Sequence, residues 1–171
     1  MITGSMGLTA ILAKTDQLDT ASFKMFNPIS FMLASPIESR KVSDLSEYIV
    51  EEKFDGMRCQ VHISNDKVEL YSRDLNMITS SFPELVEFFL AKQIPDAVLD
   101  GEICVFKDNT IMPFQHLQKR MGVKKPSQLL LEEYPVLFIS YDLLYQDGKP
   151  LFDFRLTERR KKLENFSKKA S

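Results

Sequence analysis

Glu51-Glu52-Lys53-Phe54-Asp55-Gly56-Met57-Arg58 sets one lysine among three acids, ahead of a glycine and an arginine. A lysine amine is a nucleophile only without its proton, and in water at neutral pH almost all of it is protonated. Glu51 and Asp55 favour the cation, so covalent chemistry at Lys53 requires positive charge nearby, such as Arg58. Period two places Glu51 and Lys53 on one face of an extended segment. An acid and an amine so placed serve either a nucleotide site or an ordinary surface ion pair. A second acidic pattern, Asp100 and Glu102, falls on one face of a later strand. Two such carboxylates repel unless a cation or a donor lies between them. Asp142, inside the apolar run Val136–Leu144, needs partners if it is buried.

The elements that position these groups follow from periodicity. Tyr48–Val50 leads into the lysine segment as a strand. Cys59, Val61 and Ile63 alternate with Arg58, Gln60 and His62, the pattern of a half-buried strand with His62 in solvent. Ser64-Asn65-Asp66 turns the chain into a second alternating strand, Lys67–Arg73. Ser80–Glu84 opens a serine-capped helix that buries Leu85, Phe88 and Phe89. Ala97–Phe106 is a strand with Leu99, Ile103 and Val105 inward. Asp108-Asn109 is a turn. Phe114, Leu117 and Met121 mark one helix and Pro126–Leu131 another, with Lys119, Arg120, Lys124 and Lys125 as a basic surface cluster between them. Val136–Leu144 reads as a central strand, Gln146–Lys149 as a hairpin turn, and Thr157 as the cap of a final charged helix. Upstream, residues 7–30 are polar, with Leu8, Ile11 and Leu12 on one helical turn. Residues 31–37 form an apolar patch ended by a proline, and Ser39–Ser46 is a polar link. Gly4-Ser5-Met6 reads as a tag remnant.

With 171 residues, 44% hydrophobic and 27% charged, the chain suffices for one globular domain. A net charge of −2 excludes a global basic field, so any nucleic-acid contact is local. Cys59 and Cys104 lack metal-type spacing and lie in apolar runs, as buried thiols in a reducing compartment do. His62 and His116 are too scattered for a zinc site. No apolar run is long enough to cross a bilayer, and no secretory signal is visible.

Lys53-Phe54-Asp55-Gly56-Met57-Arg58, Tyr71-Ser72-Arg73, Leu99-Asp100-Gly101-Glu102 and Phe138–Leu144 occur in an order that resembles the ATP-dependent DNA ligases of the lysine nucleotidyltransferase superfamily. Met32-Leu33-Ala34, Pro113-Phe114-Gln115 and Leu156-Thr157-Glu158-Arg159-Arg160 extend the resemblance over about residues 28–167. It implies an α+β fold of antiparallel sheets with packed helices: residues 1–27 a leader or interdomain segment, 28–171 part of an adenylation domain. It implies ATP and Mg²⁺ as cofactors, with Lys53 forming a lysyl-AMP and Glu51 on the adenine amino edge. Arg58 and Arg73 would meet ribose, phosphate or the nicked strand. Glu102 would hold the ribose hydroxyl or a metal-linked water, and Tyr141 would stack on adenine. It further implies nicked double-stranded DNA as partner of the full-length enzyme, an intracellular location and no membrane. The later Glu-Gly-x-x-x-Lys and Lys-x-Lys motifs of the family do not follow Tyr141, so 1–171 is expected to seal no nicks alone. The same lysine chemistry is shared by RNA ligases and mRNA capping guanylyltransferases, and a non-catalytic nucleotide- or DNA-binding module is the reading from another class.

Overall fold

The computed structural model describes residues 5–33, 36, 48–92 and 94–170; the expected link at Ser39–Ser46 and Gly4 of the expected tag remnant lie outside them, while Ser5 caps and Met6 begins a helix, α1 (Met6–Lys14). Its centre is an antiparallel sheet in the order β2-β1-β3-β5-β6, built from β1 (Met57–Ser64), β2 (Lys67–Ser72), β3 (Ala97–Lys107), β5 (Val136–Gln146) and β6 (Lys149–Pro150), with β4 (Thr110–Ile111) on the end of β3. The hairpin turns fall where turn residues stand. Asn65, Asp108, Asn109, Asp147 and Gly148 all have positive φ, which these residue types tolerate best.

One face of the sheet carries the main core. Cys59, Val61, Ile63, Val68, Leu70, Leu99, Ile103 and Leu143 pack there beneath α2 (Pro83–Ala91) and α5 (Leu156–Ala170), which contribute Leu85, Phe89, Leu163 and Phe166. Phe88, expected in this core, is 49% exposed. It borders an apolar groove of about 480 Å³ between α2, β5 and α5, which none of the six candidate residues lines. α2 is capped by Phe82 and started by Pro83, not by a serine side chain. In α5 Thr157 lies inside the first turn, and Glu158 accepts from the Arg155 N–H instead. The short helices α3 (Phe114–Gln118) and α4 (Gln128–Glu133) join β4 to β5, with Ser127 capping α4.

The other face of β1 is not in solvent. Residues 23–31 cross it, so Gln60 and His62 are both fully buried and the expected solvated histidine is corrected. The Phe26 N–H donates to His62 Nδ1 at 3.1 Å. His62 Nε2–H donates to Gln60 Oε1 at 2.8 Å. Gln60 in turn accepts from the Ile29 N–H at 3.0 Å and donates to the Ile29 carbonyl at 3.2 Å. Tyr71 donates to Glu69 and lies 2.9 Å from the Phe26 carbonyl. Among the described residues, every buried side-chain nitrogen and oxygen on this face therefore has a partner, as burial demands.

Burial lowers the His62 pKa to about 4. The unfolded chain, with an imidazole near 6.5, binds the proton first as pH falls, so this contribution to stability is complete above about pH 6.5 and is lost towards pH 4. Between pH 7 and pH 5 the protein is expected to lose on the order of 2 kcal/mol through His62 alone. The carboxyls of Asp100 and Glu102, both raised by burial, oppose this trend. The check is therefore the difference in urea midpoint between the protein and His62→Gln at the two pH values; parallel pH dependences would contradict it.

Candidate active site

The strand expected at Tyr48–Val50 does not form, and the lysine segment is not extended sheet: residues 49–55 carry no regular structure and β1 begins at Met57. A longer β1 would need the next stretch of β3, but the Met112 N–H takes the Val105 carbonyl at 2.9 Å, and Phe106–Lys107 pair with β4. Asp55 follows this detour, its carboxylate accepting from the Phe114 N–H at 3.1 Å. Gly56 is required by space, not by a positive φ. A Cβ there would meet the Ile103 carbonyl at 2.3 Å and Cys104 Sγ at 2.6 Å. The glycine lets the lysine segment lie flat against β3, beside Glu102.

Arg58 and Glu102 are opposite one another in the β1–β3 register, and Gln60 is opposite Asp100. Asp100 is 1% exposed and Arg58 clasps it with Nε at 3.1 Å and Nη2 at 2.7 Å. Arg58 is thus the cation that the two carboxylates needed. It also donates to the Met32 carbonyl at 2.8 Å, and its guanidinium lies over two rings, 4.8 Å from the centre of Phe31 and 5.6 Å from that of Tyr141. Burial acts to lower the Arg58 pKa, but Asp100 outweighs it and holds the charge firmly. Burial raises Asp100 and Arg58 pulls it back. Burial also raises Glu102, against the attraction of Arg58 and of Lys53, whose charge reaches it. The Tyr141 phenol is pushed well up by burial and by Asp100.

Lys53 is exposed at the rim of this cluster. Glu51 pairs with Arg160 of α5, whose Nη1 also donates to the Tyr141 carbonyl at 3.1 Å. Five of the six expected site residues, Glu51, Lys53, Arg58, Glu102 and Tyr141, are thereby linked through contacts or charge. Arg73 stands apart in the exposed turn after β2 and forms no ion pair with a described residue. Asp100 and Arg160 belong to the arrangement although no role was expected of them. The repulsion between Asp100 and Glu102 signalled the first; nothing local signalled the second. The buried Asp142 has its partner in Arg159, bound through Nε at 2.8 Å and Nη2 at 2.9 Å. Among the described residues no three metal-ligating side chains come together. Glu102 forms no ion pair with a described residue, and one free carboxylate suits a magnesium ion held mostly by phosphates and water.

The family model described as ATP dependent DNA ligase domain matches residues 31–171. The chain belongs to the ATP-dependent DNA ligase domain family. This ligase-domain chain is 43% identical over 161 residues to a probable DNA ligase of Koribacter versatilis, covering 93% of itself and 28% of that protein. It is 36% identical over 170 residues to a DNA ligase of Archaeoglobus fulgidus, covering 96% and 30%. It spans less than a third of the length of these relatives. Among solved structures, mycobacterial DNA ligase D complexed with ATP and MES superimposes with a TM-score of 0.54 at 30% identity, over 69% of this chain and 36% of that one. The expected α+β fold, antiparallel sheet with packed helices, is the fold observed. No helix of the described residues is long and apolar enough to cross a membrane. Cys59 and Cys104 are buried and free.

Proposed function

We propose that this ligase domain carries the adenylating lysine of an ATP-dependent DNA ligase, and that Lys53 is that lysine. The observation behind the reading is the meeting of Lys53 with the half-buried Glu102, the Arg58–Asp100 pair and the Tyr141 ring in a chain of this family. The neutral Lys53 amine forms a P–N bond at the α-phosphorus of ATP, the α–β phosphoanhydride breaks, pyrophosphate leaves and the amine proton goes to solvent. The 5′-phosphate of a nicked duplex takes the AMP from Lys53, and the 3′-hydroxyl then displaces AMP to close the strand. Such sealing serves DNA repair, replication and recombination, inside the cell, in cytoplasm or nucleus. Mg²⁺, when bound, would supply positive charge to the phosphates, and Glu102 is the carboxylate that would share it or hold the ribose. Glu51 offers a carboxylate oxygen to the adenine amine. Arg58, fixed by Asp100, presents a preorganised charge; Arg73, exposed in the turn after β2, would meet the nicked strand.

Tyr141 supplies the stacking face for adenine. Tyr141→Ala is expected to weaken ATP binding by on the order of 1–3 kcal/mol, the value of one base on an aromatic ring, while Tyr141→Phe keeps the parent affinity. Titration calorimetry with ATP checks this. Equal affinity in Tyr141→Ala and the parent would make Tyr141 a core residue only. Labelling with ATP but not GTP separates the ligase from a capping enzyme.

A further inference from the structure

We infer that Arg160 is a positioning residue that sets Glu51 for reading the adenine edge; this rests on the function proposed above. Two consecutive arginines of α5 grip two consecutive residues of β5. Arg159 holds the buried Asp142 with two bonds and donates to the Phe154 carbonyl at 2.6 Å, so the start of α5 has one register against the strand. Arg160 is thereby aimed. One guanidinium nitrogen holds the Tyr141 carbonyl at 3.1 Å and the other the Glu51 carboxylate.

Glu51 lies in a segment without helix or strand, and Arg160 is its ion-pair partner among the described residues. The pair uses Glu51 Oε1. Its second oxygen remains an acceptor, which suits the exocyclic amine of adenine and opposes the carbonyl that guanine presents at that place. Because the same guanidinium holds the backbone of Tyr141, the edge reader and the stacking ring are fixed relative to each other. Arg160 also sets a positive charge against an acid two residues from Lys53.

The test uses residues 1–171 as the parent, Arg160→Gln and Arg160→Lys. Amide hydrogen exchange without nucleotide is followed at residues 49–56, and affinity is measured for ATP and for GTP. Arg160→Gln is expected to exchange roughly tenfold faster over 49–56. Its preference for ATP over GTP should fall by about tenfold, the scale of one charge-assisted hydrogen bond. Arg160→Lys, which keeps the charge, recovers part of both. The urea midpoint should barely move, since the pair is partly exposed and Arg159–Asp142 persists. Unchanged exchange in Arg160→Gln overturns the holding role. An equal loss of ATP and GTP affinity overturns the reading of adenine. A parent without preference for ATP overturns the proposed function and the adenine half of this inference together, while the exchange measurement still decides whether Arg160 holds the segment.

Discussion

Lys53→Ala is expected to abolish the covalent AMP adduct, with no residual labelling at any other lysine. An amine that forms the P–N bond has no substitute in the cluster: the nearby guanidiniums of Arg58 and Arg160 are committed to Asp100 and Glu51 and are never neutral in proteins. The same commitment limits the chain. The triphosphate needs charge at its leaving group, and Lys53 itself is the cation of the cluster without an ion pair among the described residues. Each missing preorganised donor costs about 10²–10³ in rate. Residues 1–171 should therefore label at least about 10²-fold more slowly than a protein extended by the further ligase-domain residues of the relatives. Intact mass after incubation with ATP and Mg²⁺ is the measurement. Equal labelling of Lys53→Ala would refute the nucleophile, and fast nick sealing by 1–171 would refute the need for further cations.

Arg120→Met should cost about 3–5 kcal/mol of stability, the range for breaking a buried ion pair. Arg120 is fully buried. It donates to the Tyr134 carbonyl at 2.8 Å and the Ser81 carbonyl at 2.9 Å, pairs with Glu84 at 2.7 Å, and lies 5.4 Å from the Phe82 ring centre. It ties the start of α2 to the chain that enters β5. Methionine fills the volume but leaves two carbonyls and a carboxylate without their donor, against a total stability of about 5–15 kcal/mol for a domain. Adding Glu84→Met should return part of the loss, because the orphaned carboxylate is then removed. Urea unfolding followed by circular dichroism reads both; a loss under about 1 kcal/mol in Arg120→Met would show that the clamp is dispensable.

Arg120 also shows where the sequence is opaque. Beside Lys119, Lys124 and Lys125 it reads as one more surface cation, yet those lysines are exposed and it is not. Its partners come from Ser81, Glu84 and Tyr134, which no local pattern connects to it. Elements governed by neighbours were legible: the alternating strands, the turns at Asn65, Asp108-Asn109 and Asp147-Gly148, the buried Leu85 and Phe89. So was the need of Asp100 for a cation and of Asp142 for a partner, which Arg58 and Arg159 meet. What failed depended on distant chain. Alternation places His62 in water because it cannot show that residues 23–31 lie across it. The strand at Tyr48–Val50 was lost because β4 occupies the edge it would have used.

The crossing segment grips the sheet through its own main chain: the Phe26 N–H, the Ile29 N–H and carbonyl, the Phe26 carbonyl and the Met32 carbonyl. Any amino acid but proline supplies these atoms. Side chains along this strap add to the grip: Ile29 is buried with Val98 and Leu144, and Phe23 and Met25 pack beside it. The family match begins at residue 31, just where the strap's anchoring to Gln60 and His62 has ended. A protein trimmed to that boundary would expose His62 and Gln60, the two polar residues that the missing backbone had satisfied.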